Sequence, residues 1–216
     1  MLIKINDINN FDSGIVKKIT EILINEKIAI LPTSTIYGLS CIYTSKKAIK
    51  RIYEIKQRKR ELPFIILFSK LDDIRLLIEK KNRTADKLIR NYWLSENTKP
   101  LTLVFKKNKT LDNFLTGQKD TIAIRLDSFP LIKKVIDICG PIISTIATLS
   151  GTGLSPKNIK EIPDEIKNKV DLIVGCSFNL DGVASTVLDI TGSKPAIIRE
   201  GQLKFEEIKE RIGHLL

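Results

Sequence analysis

Histidine is almost missing from this chain: there is one in 216 residues, His214 near the C-terminal end. Cysteine is scarce, and Cys41, Cys139 and Cys176 are widely spaced with no Cys-x-x-Cys pair. A tetrahedral zinc site needs about four closely grouped His or Cys ligands. Ser–His or Cys–His nucleophilic catalysis cannot run on one terminal imidazole. No metal-ligating set and no catalytic acid, base or nucleophile of these kinds is therefore expected. Three separated thiols suit a reducing cytoplasm, not a disulfide framework. No run approaches the ~18–20 consecutive apolar residues of a membrane span. The start, Met1-Leu2-Ile3-Lys4, lacks a basic segment followed by an apolar one, so neither a membrane segment nor a signal peptide is expected. There is no repeat, low-complexity tract or Pro/Gly-rich linker, and one domain over residues 1–216 is the economical reading.

Positive charge is what the chain has in excess. Thirty-six Lys and Arg against 25 Asp and Glu leave a net charge of +11, which favours polyanionic partners such as nucleotides, nucleic acid or an anionic membrane surface. A Lys-, Ile- and Asn-rich composition can produce the same excess with no function attached. At 43% hydrophobic and 28% charged residues, the chain can bury a sizeable core.

Apolar strands alternate with helical periodicity. Asp12 is placed to cap a helix reaching residue 25, with Ile15, Ile19, Ile22 and Leu23 at helical spacing. The run 28–31, ended by Pro32, reads as a buried strand. Ser45 caps a helix to about Gln57; a strand follows at 63–68 and helices at 70–80 and 84–94. Strands are expected at 101–105 and 121–126, and a helix at 130–139 is stopped by Gly140 and Pro141. Further strands fit 142–146, 170–174, 185–190 and 196–199, with a last helix at 205–212. This alternation predicts the α/β class, with a large sheet covered by helices.

Three places carry chemistry. The turn after the first buried strand, Pro32-Thr33-Ser34-Thr35-Ile36-Tyr37-Gly38-Leu39, puts small hydroxyl residues where open α/β sheets bind ligands, although such residues also simply cap turns. Next comes a basic stretch. Lys46, Lys47 and Lys50 fit a solvated helix face, but Lys56 is the i+7 member of the apolar stripe Ile49, Ile52, Tyr53. It therefore points toward the sheet and needs an anion, either a protein carboxylate or a phosphate, with Arg58 as a second donor. Last, period two puts Thr121 and Arg125 on one strand face, Arg199 ends another strand and Ser185 opens a third. Each Arg alone could be salt-bridged; together with Lys56 and Arg58 they point to a convergent anion pocket.

These residues also carry a family resemblance. Residues 32–39 resemble the Pro-Thr-(Asp/Glu)-Thr-(Val/Ile)-Tyr-Gly-Leu signature of the YrdC/Sua5 family of threonylcarbamoyl-AMP synthases. Lys56-Gln57-Arg58 with Pro63-Phe64 is similar to its Lys-x-Arg segment and following strand, and Trp93 with Lys99-Pro100-Leu101-Thr102-Leu103 to its Trp-Pro-Gly-Pro-Leu-Thr-Leu segment. Thr121 to Arg125, Ser150-Gly151 with Ser155-Pro156, Ser185-Thr186-Val187 and Ile198-Arg199-Glu200-Gly201 resemble its later motifs in order. The resemblance spans about residues 15 to 210.

The resemblance implies a single domain with a twisted mixed sheet, flanking helices and a concave basic cavity. It implies an enzyme, a nucleotidyltransferase that joins L-threonine, bicarbonate (or CO2) and ATP into threonylcarbamoyl-AMP and pyrophosphate. Mg²⁺ would arrive on the nucleotide, and partner proteins would pass the product to tRNA. By family position, Thr35, Arg125, Thr145 and Ser185 would hold L-threonine. Lys56, Arg58, Thr121, Thr148, Ser155 and Arg199 would hold ATP. The chain departs from the pattern at Ser34, in the loop 94–100, and at Ile146 and Thr148, which replace a Ser and an Asn. If the strand at 142 runs on through 148, both last residues share a face and line the cavity. A noncatalytic RNA-binding protein of the same fold, touching tRNA directly, is the alternative that the charge and these departures permit.

Overall fold

The computed structural model describes residues 1–95 and 99–213; residues 96–98, within the altered segment 94–100, and the lone His214 lie outside the described residues. Two N-caps form as expected. Asp12 Oδ1 accepts from Gly14 N at 2.8 Å and starts α1 (Ser13–Ile24). Ser45 Oγ accepts from Ala48 N at 3.1 Å and starts α2 (Lys46–Lys56). Pro130 opens α5 (Pro130–Cys139), and Gly140, with φ at +77°, ends it. The others are α3 (Ile74–Leu77), α4 (Arg83–Leu88), α6 (Asp164–Lys167) and α7 (Phe205–Ile212). None of the described helices is long and apolar enough to cross a membrane.

One mixed sheet organises the described chain. Its strands are β1 (Leu2–Ile5), β2 (Ala29–Pro32), β3 (Tyr37–Ile42), β4 (Ile65–Phe68), β5 (Leu101–Lys106), β6 (Thr121–Leu126), β7 (Ile142–Ile146), β8 (Leu172–Cys176), β9 (Thr186–Asp189) and β10 (Ala196–Arg199). They lie in the order β1-β8-β2-β3-β7-β4-β6-β5-β9-β10. The pairs β1–β8, β2–β8, β4–β6 and β5–β9 are parallel and the others antiparallel. Every residue of β2 is buried, as its unbroken apolar run requires.

Several expectations need correction. The sequence pattern does not predict β1, and it assigns the first residues of β3 to a turn. The β3 sequence, Tyr37-Gly38-Leu39-Ser40-Cys41-Ile42, shows no apolar alternation because it is paired on both edges, by β2 and β7, and buried on both faces. The helix expected at 70–80 is only a short 3-10 turn (Leu71–Asp73) followed by α3; Ile78 then turns extended and bridges Lys107. The helix expected at 84–94 widens after α4 into a π-helical turn, Ile89–Trp93. That turn buries Trp93, whose Nε1 donates to Leu101 O at 2.8 Å and whose ring meets Phe68 edge-on at 5.1 Å.

Gly38 on β3 and Arg199 on β10 both face one cavity. Those strands are six places apart in the sheet, which would be ~29 Å in a flat sheet. The sheet must therefore curl strongly, and its concave side holds the cavity.

Candidate functional site

The cavity has a volume of about 520 Å³, enough for a nucleotide-sized ligand. One wall comes from the end of α2. Gln57 adopts a left-handed φ of 50°, which stops the helix and leaves Lys56 facing the sheet. As its register predicts, Lys56 is buried, at 2% exposure. Its partners, however, are backbone carbonyls: Nζ donates to Ile146 O at 2.5 Å and Thr148 O at 2.6 Å. Burial, and then the neighbouring Arg58 charge, pull its pKa down to about 7. Arg58 donates from Nε to Leu62 O at 3.0 Å and from Nη2 to Pro63 O at 3.1 Å, with its guanidinium 5.3 Å from the centre of the Phe64 ring.

Arg125 and Arg199 also line the cavity. Arg199 donates to Ser185 O from Nε (3.2 Å) and Nη2 (2.8 Å), and Nη2 also reaches Ser185 Oγ at 3.3 Å. Its pKa is lowered by burial first, then by Arg125 and Arg58, so these cations feel one another across the cavity. Arg125 is different: Nη2 donates to Asp127 Oδ2 at 2.6 Å, a fully buried ion pair. Among the described residues no carboxylate pairs with Lys56, Arg58 or Arg199. The salt-bridge explanation thus holds for one cation of four. Three partly or wholly buried positive charges without counter-ions are costly unless an anion joins them.

Hydroxyl groups complete the lining. Thr35 and Thr33 lie on the β2–β3 loop with their Oγ1 atoms 3.1 Å apart. Thr145 comes from β7, Thr148 and Ser155 from the loop beyond it, and Ser185 from just before β9, with Thr102 Oγ1 2.8 Å from its Oγ. That loop is tied over the site by Tyr37 N, which donates to Pro156 O at 3.0 Å, and the β8–β9 loop is tied there by Gly182 N, which donates to Thr35 O at 3.1 Å. Gly201 lets the β10 end approach closely, since a Cβ there would lie 2.2 Å from Ala184 O.

Nine of the ten residues singled out from sequence line the cavity; Thr121 does not. It is half-buried at the far end of β6, opposite Lys106. Period two correctly put it on the face of Arg125, but four residues of strand separate the two by ~13 Å. Ile146 and Thr148 both line the cavity, though not as strand neighbours. β7 ends at Ile146, and Thr148 N donates to Ile146 O at 2.8 Å in a tight turn. Sequence reading missed Asp127, whose signal was an acid two residues after Arg125, and Glu200, which lines the cavity and pairs with Lys204 at 3.0 Å.

A family model described as telomere recombination, covering Sua5, YciO and YrdC proteins, matches residues 21–201. The chain belongs to that family. Its similarity to the threonylcarbamoyl-AMP synthase of Pyrococcus abyssi is 32% identity over 88% of this chain and 54% of the relative, so it spans about half that protein's length. Within the Sua5–YciO–YrdC family it also superposes on P. abyssi Sua5 complexed with L-threonine, with a TM-score of 0.90 at 28% identity, over 99% of this chain and 61% of the other. E. coli YciO matches with a TM-score of 0.84 at 26% identity, over 96% of this chain and 98% of YciO.

Proposed function

We propose that this chain is an L-threonylcarbamoyladenylate synthase, a nucleotidyltransferase acting in the cytoplasm. The observation that carries the reading is the gathering of Lys56, Arg58 and Arg199, without carboxylate partners, beside the Thr35 and Arg125 end of one cavity. The named relatives support it: a threonylcarbamoyl-AMP synthase and a Sua5 complexed with L-threonine. Threonine, through its carboxylate, hydroxyl and amine, engages Arg125, Thr35, Thr145 and Ser185. The phosphates of ATP engage Lys56, Arg58 and Arg199, with Thr148 and Ser155 as hydroxyl donors. Mg²⁺ enters as part of the nucleotide; the carboxylate in the cavity lining, Glu200, is tied to Lys204.

The chemistry then asks little of side chains as acids or bases. The neutral threonine amine bonds to the carbon of CO2 with release of a proton to solvent, or to that of bicarbonate with release of water, and the resulting carbamate oxygen attacks the α-phosphorus of ATP. The bond from that phosphorus to the bridging oxygen breaks, and pyrophosphate leaves with the electron pair. The protein aligns the two reactants and stabilises charge on the departing pyrophosphate, for which fixed guanidinium, ammonium and hydroxyl donors suffice. Partner proteins carry the threonylcarbamoyl group onward to tRNA. The test is to incubate the chain with ATP, Mg²⁺, bicarbonate and labelled threonine. Threonylcarbamoyl-AMP and pyrophosphate are expected in equal amounts; formation of neither refutes the proposal.

A further inference from the structure

Asp127 follows β6 directly and is fully buried. Four donors saturate its carboxylate. Oδ1 accepts from Ser34 N at 3.2 Å and Phe129 N at 3.0 Å, while Oδ2 accepts from Ser34 Oγ at 2.9 Å and Arg125 Nη2 at 2.6 Å. Arg125 in turn donates from Nη1 to Thr35 Oγ1 at 3.2 Å. One carboxylate therefore ties the end of β6 to the β2–β3 loop and sets the attitude of both groups assigned to threonine. Arg125 Nε is buried and has no hydrogen-bond partner, although the residue lines the cavity. A guanidinium serving only a structural ion pair would not be expected to leave a buried N–H empty.

We infer that Asp127 is a positioning residue for the amino-acid end of the cavity: it grips Arg125 by Nη2 so that the Nε–H edge is presented to the carboxylate of bound threonine. The inference rests on the proposed function and deepens it. The ion pair also balances the charge of Arg125, while Lys56, Arg58 and Arg199 have no carboxylate partner among the described residues. A singly charged carboxylate suits the balanced Arg125–Asp127 pair and a triphosphate the three cations without carboxylates, so Asp127 helps to sort the two anions as well as orienting one.

Asp127→Asn is the discriminating variant. Its Oδ1 can still accept from the Ser34 and Phe129 amides, and Ser34 Oγ can reverse its bond. The new amide nitrogen, however, faces Arg125 Nη2, donor against donor. Threonine affinity, measured by calorimetry, should fall ~tenfold or more, while ATP affinity stays within ~twofold. The ¹⁵N resonance of Arg125 Nε–H, assigned by its loss in Arg125→Lys, should shift or broaden. In an Arg125→Lys background, Asp127→Asn should cost no further threonine affinity, which a merely structural role would not predict. If Asp127→Asn does not fold, Ser34→Ala removes one arm of the same grip and should lower threonine affinity ~two- to threefold. Unchanged threonine affinity in the folded variant, where the unaltered chain binds threonine, overturns the inference. If the unaltered chain binds no threonine and the Arg125 signal still responds to Asp127→Asn, the grip stands and the proposed function falls.

Discussion

Lys56 should make nucleotide binding depend on pH. Burial, then Arg58, lowers its pKa from 10.5 to about 7, against two carbonyls that favour the ammonium. A phosphate brought into contact adds the missing counter-charge and returns the pKa toward its ordinary range. The bound pKa is then the higher one, so nucleotide binding is favoured at low pH and weakens as pH rises through about 7. At pH ~8 about nine in ten free chains carry a neutral Lys56, so binding takes up ~0.9 proton; at pH ~6 it takes up ~0.1. Over the range from pH ~7 to ~10 the affinity should drop about tenfold per pH unit from this group alone. Calorimetry at pH ~8, in two buffers that differ in protonation enthalpy, reads the proton uptake directly. Lys56→Met should abolish it and leave weaker binding with the flatter pH dependence of the nucleotide itself. Equal uptake by the unaltered chain and by Lys56→Met would refute the argument.

Arg125→Lys should raise the Michaelis constant for threonine far more than that for ATP, because a forked donor becomes a point charge; steady-state kinetics with each substrate varied will show it. In Gly201→Ala the new Cβ would lie 2.2 Å from Ala184 O and 2.6 Å from Ser185 C. It should displace the backbone on which Arg199 hangs, lower stability by ~1–3 kcal/mol in thermal unfolding, and weaken ATP and threonine binding together. Ile146→Ser with Thr148→Asn adds polar groups to the wall whose carbonyls hold Lys56, and should lower the Michaelis constant for ATP by ~two- to tenfold through one or two new hydrogen bonds.

Strongly periodic segments are legible in the sequence itself. The caps Asp12 and Ser45, the stop at Gly140 and the placing of Lys56 on a buried helix face all follow from local chemistry, and all appear. β3 was illegible because its burial is conferred by neighbours on both edges, and a strand without alternation carries no period to read. Thr121 shows the same limit at the site: a two-residue period assigns a face but not a position along the strand. Lys56 was expected to meet a formal anion within the protein or a phosphate; the carbonyl pair that receives it comes from residues ninety positions away, which spacing alone cannot predict. Asp127 escaped notice because its importance lies in the Ser34 loop it reaches across the sheet, not in its own surroundings in the chain.

The parallel pairing of β1 with β8 has a consequence for synthesis. Leu2 lies opposite Ile173 and Ile5 opposite Cys176. At ~5–20 residues per second, β1 leaves the ribosome roughly 10–30 s before its partner exists. β2, buried on every residue, also waits for β8 to cover one of its edges. The sheet must close through contacts far apart in the chain, which raises the entropic barrier and slows folding. Since Thr33 and Gly201 both line the cavity, no nascent fragment short of nearly the whole described chain contains the complete cavity. A ligand of that cavity can therefore stabilise only chains in which both parts of the lining are present, and the apolar β2 strand keeps one edge uncovered until β8 is made.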